Sequence, residues 1–365
     1  MLQSSFPRNS YLTAILSLVL FAVGAQAQLA PVPEAPAPAA STPSDGPTIV
    51  GDISSKDVVG KTVEDWSTPS LKGSDLVPGD ALVVEVFDKN PAYVREFVST
   101  QWRPADPIDL YVIRPTGVAK PPVVLYLYSY PFELDRFRDD AFCQFLVRNG
   151  VAAVGFPSAL TGLRYHSPRP MKQWFVSQLQ ESLATSAHDV QLILDYLTKR
   201  GDLDMTRVGM FGDGSGGSIA ILAAAVDPRI KSLDLLDPWG DWPDWMAQST
   251  LVPENERPDF LTPEWQARVA PLDPVKWLPK LKNRKVRIQM ISSVTVTPEA
   301  AKKKVVAAAP PNAKIVHYAD SSAFKAAMAN GTGFDWIKEQ VANGAKPPKA
   351  NADLHSQNRA APSER

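Results

Sequence analysis

The chain has 365 residues, 44% of them hydrophobic, and its 38 basic and 39 acidic side chains leave a formal net charge of −1. That balance excludes a nucleic-acid surface, which would be strongly basic, and shows no bias toward an anionic membrane. The length admits one large domain or two, and the single cysteine, Cys143, excludes an intramolecular disulfide.

Arg8 precedes an apolar run over residues 11–23, followed by Ala25-Gln26-Ala27. Charge, apolar stretch and small residues in that order read as a secretory signal peptide over residues 1–27, cut after Ala27. The run is short of the roughly 20 residues that span a bilayer. An exported protein, periplasmic or secreted, with no membrane span after cleavage is therefore expected. Residues 28–50 are mostly Ala, Pro, Ser and Thr, the composition of a semi-extended linker. The folded domain is expected over 51–343, with a disordered polar tail at 344–365.

Residues 94–102 and 107–114 read as strands joined by a turn, and 123–128 as a strand covered on both faces. A helix over 139–149 has Ala141, Phe142, Phe145 and Leu146 on one side, and Gly150 ends it. Cys143 lies among these apolar residues, where a buried structural thiol is expected. Strand 151–156 is followed by helix 181–199, whose buried stripe is Val190, Ile193, Leu194 and Leu197. Strand 207–211 runs into Gly212-Asp213-Gly214-Ser215-Gly216-Gly217 and then helix 218–226. Strands 230–236, 286–291 and 314–318 follow, with helices over 298–308 and 324–343. Such alternation implies a mostly parallel sheet with helices on both faces, whose functional groups gather beyond the C-terminal strand ends. After the sixth of these strands, an insertion over 238–282 carries Trp239, Trp242, Trp245, Trp265 and Trp277 and is expected to cap those ends.

A sharp glycine-bounded turn between strand and helix is the geometry of a nucleophile elbow. With the helix before it and Asp227-Pro228-Arg229-Ile230 after it, the stretch from Arg207 to Gly217 resembles the α/β-hydrolase superfamily, in particular its esterases and dienelactone hydrolases. The resemblance implies an α/β-hydrolase fold and a catalytic triad. In its register Gly212, Gly216 and Gly217 fill the glycine positions and Gly214 falls where the nucleophile belongs. Val294, four residues before Pro298, falls at the acid position, and Ala323 at the histidine position. The resemblance thus implies a degenerate triad.

A serine becomes a nucleophile only with a general base within hydrogen-bond reach. Of the four histidines, His188, His317 and His355 lie in a helix, a strand and the tail, and only His166 follows a strand end. An alternative elbow slipped by one residue places Ser215 at the nucleophile site, with His166 as base. In the relatives a loop after the third strand supplies oxyanion donors; here it reads Tyr128-Ser129-Tyr130-Pro131. Tyr128, Ser129, Tyr130, Asp213, Ser215, Trp239 and Trp242 are the expected pocket lining. Three tryptophans among the carboxylates of residues 237–245 suit stacking of a sugar or another flat ligand, or the core of a cap. The glycine run lacks the Lys-Ser/Thr pair of a phosphate loop. No metal-ligand spacing occurs, and no cofactor is implied. The reading is an exported pseudo-hydrolase that binds a small molecule or acts as a scaffold; the alternative is a carboxylic ester hydrolase acting through Ser215.

Overall fold

The structure, a computed structural model, describes residues 64–342 apart from 105, 132–133 and 165–173. The expected signal peptide, linker and tail, and His166, lie outside the described residues. Nine strands form one sheet: β1 (Ala81–Lys89), β2 (Tyr93–Arg103), β3 (Asp106–Pro115), β4 (Pro122–Leu127), β5 (Ala152–Gly155), β6 (Asp204–Asp213), β7 (Ile230–Leu236), β8 (Lys285–Ile291) and β9 (Lys314–Tyr318). Their order is β1-β2-β3-β5-β4-β6-β7-β8-β9. β1, β2 and β3 pair antiparallel, β3 is antiparallel to β5, and every pairing from β5 to β9 is parallel.

The period of two along a strand divides the core. In β4, Val123, Leu125 and Leu127 enter one apolar cluster, whereas Val124 and Tyr126, with Tyr128 just beyond, enter the other. The first cluster is covered by α2 (Leu179–Arg200) and α3 (Ser215–Val226), the second by α1 (Asp140–Val147) and α10 (Asp335–Ala342). α3 is small and apolar all round, and residues 215–224 are buried, as a helix inside the core should be. α2 ends where Gly201 adopts φ 71°, the left-handed stop that glycine takes without strain.

The insertion after β7 forms α4 (Trp242–Gln248), α5 (Arg257–Phe260), α6 (Pro263–Val269) and α7 (Pro274–Trp277). It packs along α2, α3 and α8 (Glu299–Ala307), and Trp239, Trp242 and Trp245 are buried in the first cluster. The helix expected over 324–343 is two helices, α9 (Ser321–Ala329) and α10. Gly331 at φ 87° turns the chain between them, a conformation other residues rarely take. β1, not expected from the sequence, extends the sheet at one edge. No helix among the described residues is long and apolar enough to cross a membrane.

Candidate functional site

β6 delivers the chain to Gly214, which has φ 54° and ψ −116°. This is the strained corner of the elbow, and Ser215 is the first residue of α3 beyond it. The flanking glycines are required by contact. A Cβ on Gly212 would lie 2.5 Å from the Gly216 carbonyl oxygen and 2.7 Å from Gly217 Cα, and one on Gly216 would overlap the Leu127 carbonyl. Strand and helix therefore close to backbone contact. The corner is held by Gly214 N–H donating to the Leu236 carbonyl at 2.9 Å and by Trp239 N–H donating to the Gly214 carbonyl at 3.2 Å.

By sequence the chain matches no family profile and no curated protein. By structure it is similar to an acetyl xylan esterase from Paenibacillus sp. R4 (TM-score 0.56, 16% identity, 71% of this chain and 89% of that one). It is also similar to acetyl xylan esterase 1 from Thermoanaerobacterium sp. JW/SL YS485 (TM-score 0.53, 14% identity, 66% and 82%). A third similar structure is an S-formylglutathione hydrolase from Agrobacterium tumefaciens (TM-score 0.52, 14% identity, 72% and 100%). The chain has the α/β-hydrolase fold.

In this α/β-hydrolase-fold protein the space beside the apex is filled. A Cβ on residue 214 would crowd the Ser129 hydroxyl, and Trp239 Nε1 is 3.0 Å from that point. Ser215 is fully buried, and its hydroxyl accepts the Tyr130 N–H at 2.9 Å. That bond engages the backbone donor of the loop which, in esterases of this fold, faces the developing oxyanion. The corner is at Gly214, one residue before Ser215, which begins the helix.

The other expected site residues separate. Tyr128 is not pocket lining. It is 2% exposed and packs against Phe137, Phe142 and Phe211 in the second cluster, because the parity of β4 sends it to that face. Tyr130 is half-buried, stacked on Phe175 with centroids 5.2 Å apart. Trp239 borders the apex, but its ring packs on Trp245 at 4.6 Å and on Phe175 at 6.1 Å. Trp242 is buried beyond it, edge-on to Trp245. These rings stack on one another, so the open stacking platform for a flat ligand is absent here. Ala323 is exposed in the first turn of α9, its N–H donating to the Asp320 carboxylate at 2.9 Å. Val294 is half-buried after β8.

Neither described histidine is placed to serve Ser215. His188 sits in α2 with Nδ1 2.7 Å from Glu64 and Nε2 3.0 Å from the Thr68 carbonyl. His317 is exposed in β9. Cys143 is buried, its thiol donating to the Phe137 carbonyl at 3.3 Å and pushed up to about 11 by that burial. Among the described residues no cluster of His, Cys, Asp and Glu could hold a metal ion.

The chemistry that gathers at the strand ends is carboxylate and amine. Asp213, last in β6, is raised to about 6 by burial, against the opposing pull of Arg136 and the Ser129 N–H. Asp237, one residue beyond β7, is raised to about 7 by burial, with Asp213 adding to the rise and the Ile291 N–H and Lys302 opposing it. Its Oδ1 accepts the Ile291 N–H at 3.0 Å and lies 3.8 Å from Lys302 Nζ. Lys302, whose ammonium burial lowers, donates to the Ile291 carbonyl at 2.5 Å and the Val294 carbonyl at 2.7 Å. The lysine thus ties down the loop that carries the family's acid position. Asp237 and Lys302 are 65 positions apart and share no motif with the elbow. Asp237 directly follows an expected strand, whereas Lys302 lies inside an expected helix and carries no signal of its own.

Proposed function

We propose that this protein is a non-hydrolytic member of the α/β-hydrolase fold, exported after cleavage behind Ala27, that binds a small molecule or serves as a scaffold. The observation that carries this reading is the apex: Gly214, which has no side chain, holds the corner, and the Ser129 hydroxyl crowds the point where a side chain would begin. Chemistry of the esterase kind needs a nucleophile at the corner, a base beside it and free oxyanion donors. Here the corner has no side chain, the loop N–H of Tyr130 is engaged by Ser215, and Val294 and Ala323 supply neither acid nor base. Losing the serine or the histidine from a working triad costs about 10⁶ in turnover, or roughly 8 kcal/mol of barrier. Asp213, Asp237 and Trp239 are the groups left near the apex to meet a ligand.

A second reading draws support from the fold: the similar structures are two acetyl xylan esterases and an S-formylglutathione hydrolase. In it Ser215 is the nucleophile and must turn away from Tyr130 to react. A fluorophosphonate probe, which modifies activated serines without requiring knowledge of the substrate, separates the two. The first reading expects no labelling, no turnover of short-chain activated esters, and no change on Ser215→Ala. Stoichiometric labelling at Ser215, lost in Ser215→Ala, would install the hydrolase reading in its place.

A further inference from the structure

The chain's near-neutral total conceals a segregation of charge. Residues 274–319 hold ten lysines and arginines and one carboxylate, Glu299, whereas residues 241–264 hold six carboxylates and one arginine. Four of the ten bases are matched: Arg287 by Asp234, Lys302 by Asp237, Lys303 by Glu299, and Lys304 by Asp241 and Asp244. The other six, Lys276, Lys280, Lys282, Arg284, Lys285 and Lys314, have no carboxylate within ion-pair distance among the described residues, and all but Arg284 are exposed. The fold gathers them. Lys276 and Lys280 stand one turn apart in α7 and the 3₁₀ turn after it, and Lys285 begins β8. Lys285 pairs with Ser232, the neighbour of exposed Lys231 in β7, and Lys314 begins β9 opposite Arg287. The Asn312 amide, on the turn into β9, donates to the Arg284 carbonyl at 3.0 Å. Seven cations thus surround the starts of β7, β8 and β9, the end of the parallel sheet opposite the elbow. Asp227, just before β7, is engaged by Arg229 at 2.6 Å and does not discharge them.

We infer that this end of the sheet docks on an anionic phospholipid surface, with the elbow directed away from it. Charge sets the sign of the partner, and the kind of cation sets its class. Six of the seven are lysines, point charges on flexible stems, which suit a field of headgroup phosphates. The bidentate reading of one phosphate or one base is the work of arginine. Trp277 lies among them, half-buried against the first cluster, with its indole N–H donating to the Pro271 carbonyl at 2.8 Å and Lys280 Nζ 3.5 Å from its ring centroid. A ring covered in this way offers no platform for a sugar, whereas a tryptophan beside lysines belongs at headgroup level. A second copy of the chain is a poor match. Of the six carboxylates over 241–264, Asp241 and Asp244 are taken by Lys304 and Glu254 faces Arg257 at 3.9 Å, which leaves three against seven cations. Each cation near such a surface is worth about fivefold in binding, so the patch suffices for reversible attachment without an inserted helix.

The test uses residues 28–365, so that the apolar run at 11–23 plays no part. In co-sedimentation the chain should bind vesicles of two parts phosphatidylcholine to one part phosphatidylglycerol and should not bind phosphatidylcholine alone. High salt, where the Debye length falls to ~3 Å, should release it. Lys280→Gln, Lys282→Gln and Lys285→Gln together should weaken binding on the order of 100-fold, at about fivefold per charge, with an unchanged circular-dichroism spectrum. The same change at Lys72, Lys89 and Lys325, outside the patch, should weaken it less than about threefold, since charges beyond a Debye length are screened. Failure to bind at low salt, equal binding to neutral vesicles, or equal loss in the two triple variants would overturn the inference. So would tighter binding to duplex DNA or to a sulfated polysaccharide than to the mixed vesicles, or salt-sensitive self-association in place of vesicle binding.

Discussion

Putting a side chain on Gly214 requires Ser129 to give way, and the Trp239 indole nitrogen is 3.0 Å from the same point. The left-handed φ of 54° adds its own strain for any residue with a Cβ. Gly214→Ser is therefore expected to remain inactive and to lose about 1–3 kcal/mol of stability, the range for overpacking a tight site. Chemical denaturation measures it, and adding Ser129→Gly should recover part of the loss; a Gly214→Ser protein as stable as the parent would show that the space is open. At this scale the elbow was legible. The positions of Gly212, Gly216 and Gly217 mark the corner, since close packing of strand on helix leaves no room for a Cβ. Of its neighbours, Ser129 and Trp239 were expected as lining, and both border the corner. Asp237 and Lys302 were not legible, since one follows β7 and the other lies in α8, and no local pattern joins them to the elbow. Tyr128 was misplaced for a different reason: it was assigned with the loop that supplies oxyanion donors in the resembled family, whereas the parity of β4 decides its face.

Elements follow their periodicity where a face is buried and lose it where none is. The strands from 94 onward and the helices α1, α2, α3 and α8 lie close to their sequence-based bounds, because their apolar spacing matches a two-sided core. β1 has apolar residues at nearly every position and buries neither face, so no alternation marks it. The last helix was read through Gly331 and Gly333, where the chain turns. An ionic network adds to the backbone and apolar contacts that bind the N-terminal elements to the rest. Asp189 in α2, fully buried, accepts Trp102 Nε1 at 2.8 Å and Arg164 at 2.8 Å, and also pairs with Arg103. Arg103 holds Glu64 at 2.6 Å, Glu64 holds His188, and Arg164 holds Asp106 at 2.7 Å. The chain's described start, the β2–β3 hairpin, the connection after β5 and α2 thus share one network. Asp189→Asn leaves the buried guanidinium groups of Arg103 and Arg164 short of a shared counter-charge and should cost about 3–5 kcal/mol. Limited proteolysis should then cut first near residues 64–71, and a variant that loses stability without new cleavage there would show that the network does not tie that segment.

For the molecule as a whole, these buried carboxyls act with opposite sign against pH. Asp189 is held down to about 2 by Arg103 and Arg164 despite its burial. A lowered folded value contributes stability above the unfolded value, near 3.8, that disappears as pH falls toward 2. Asp237 is the reverse: raised to about 7, it favours the folded state fully below 3.8, and that contribution is lost as pH rises through 7. Each pKa unit corresponds to about 1.4 kcal/mol, so ionising Asp237 takes up to about 4 kcal/mol from the fold across that window. Asp237→Asn removes the charge and keeps an oxygen for the Ile291 N–H. Asparagine also tolerates the φ of 41° found there, and Lys302 retains its bonds to the Ile291 and Val294 carbonyls. Denaturation curves of the two proteins should therefore run together near pH 4 and separate steadily up to about pH 7. Above that, the asparagine variant should be the more stable by a constant amount. Asp213, raised to about 6 by its burial, also faces Asp237 electrostatically, so Asp237→Asn should let Asp213 ionise at lower pH and shift part of the separation below pH 6. Parallel curves across the whole range would mean that Asp237 ionises as readily in the folded chain as in the unfolded one, and that the strand ends are open to water.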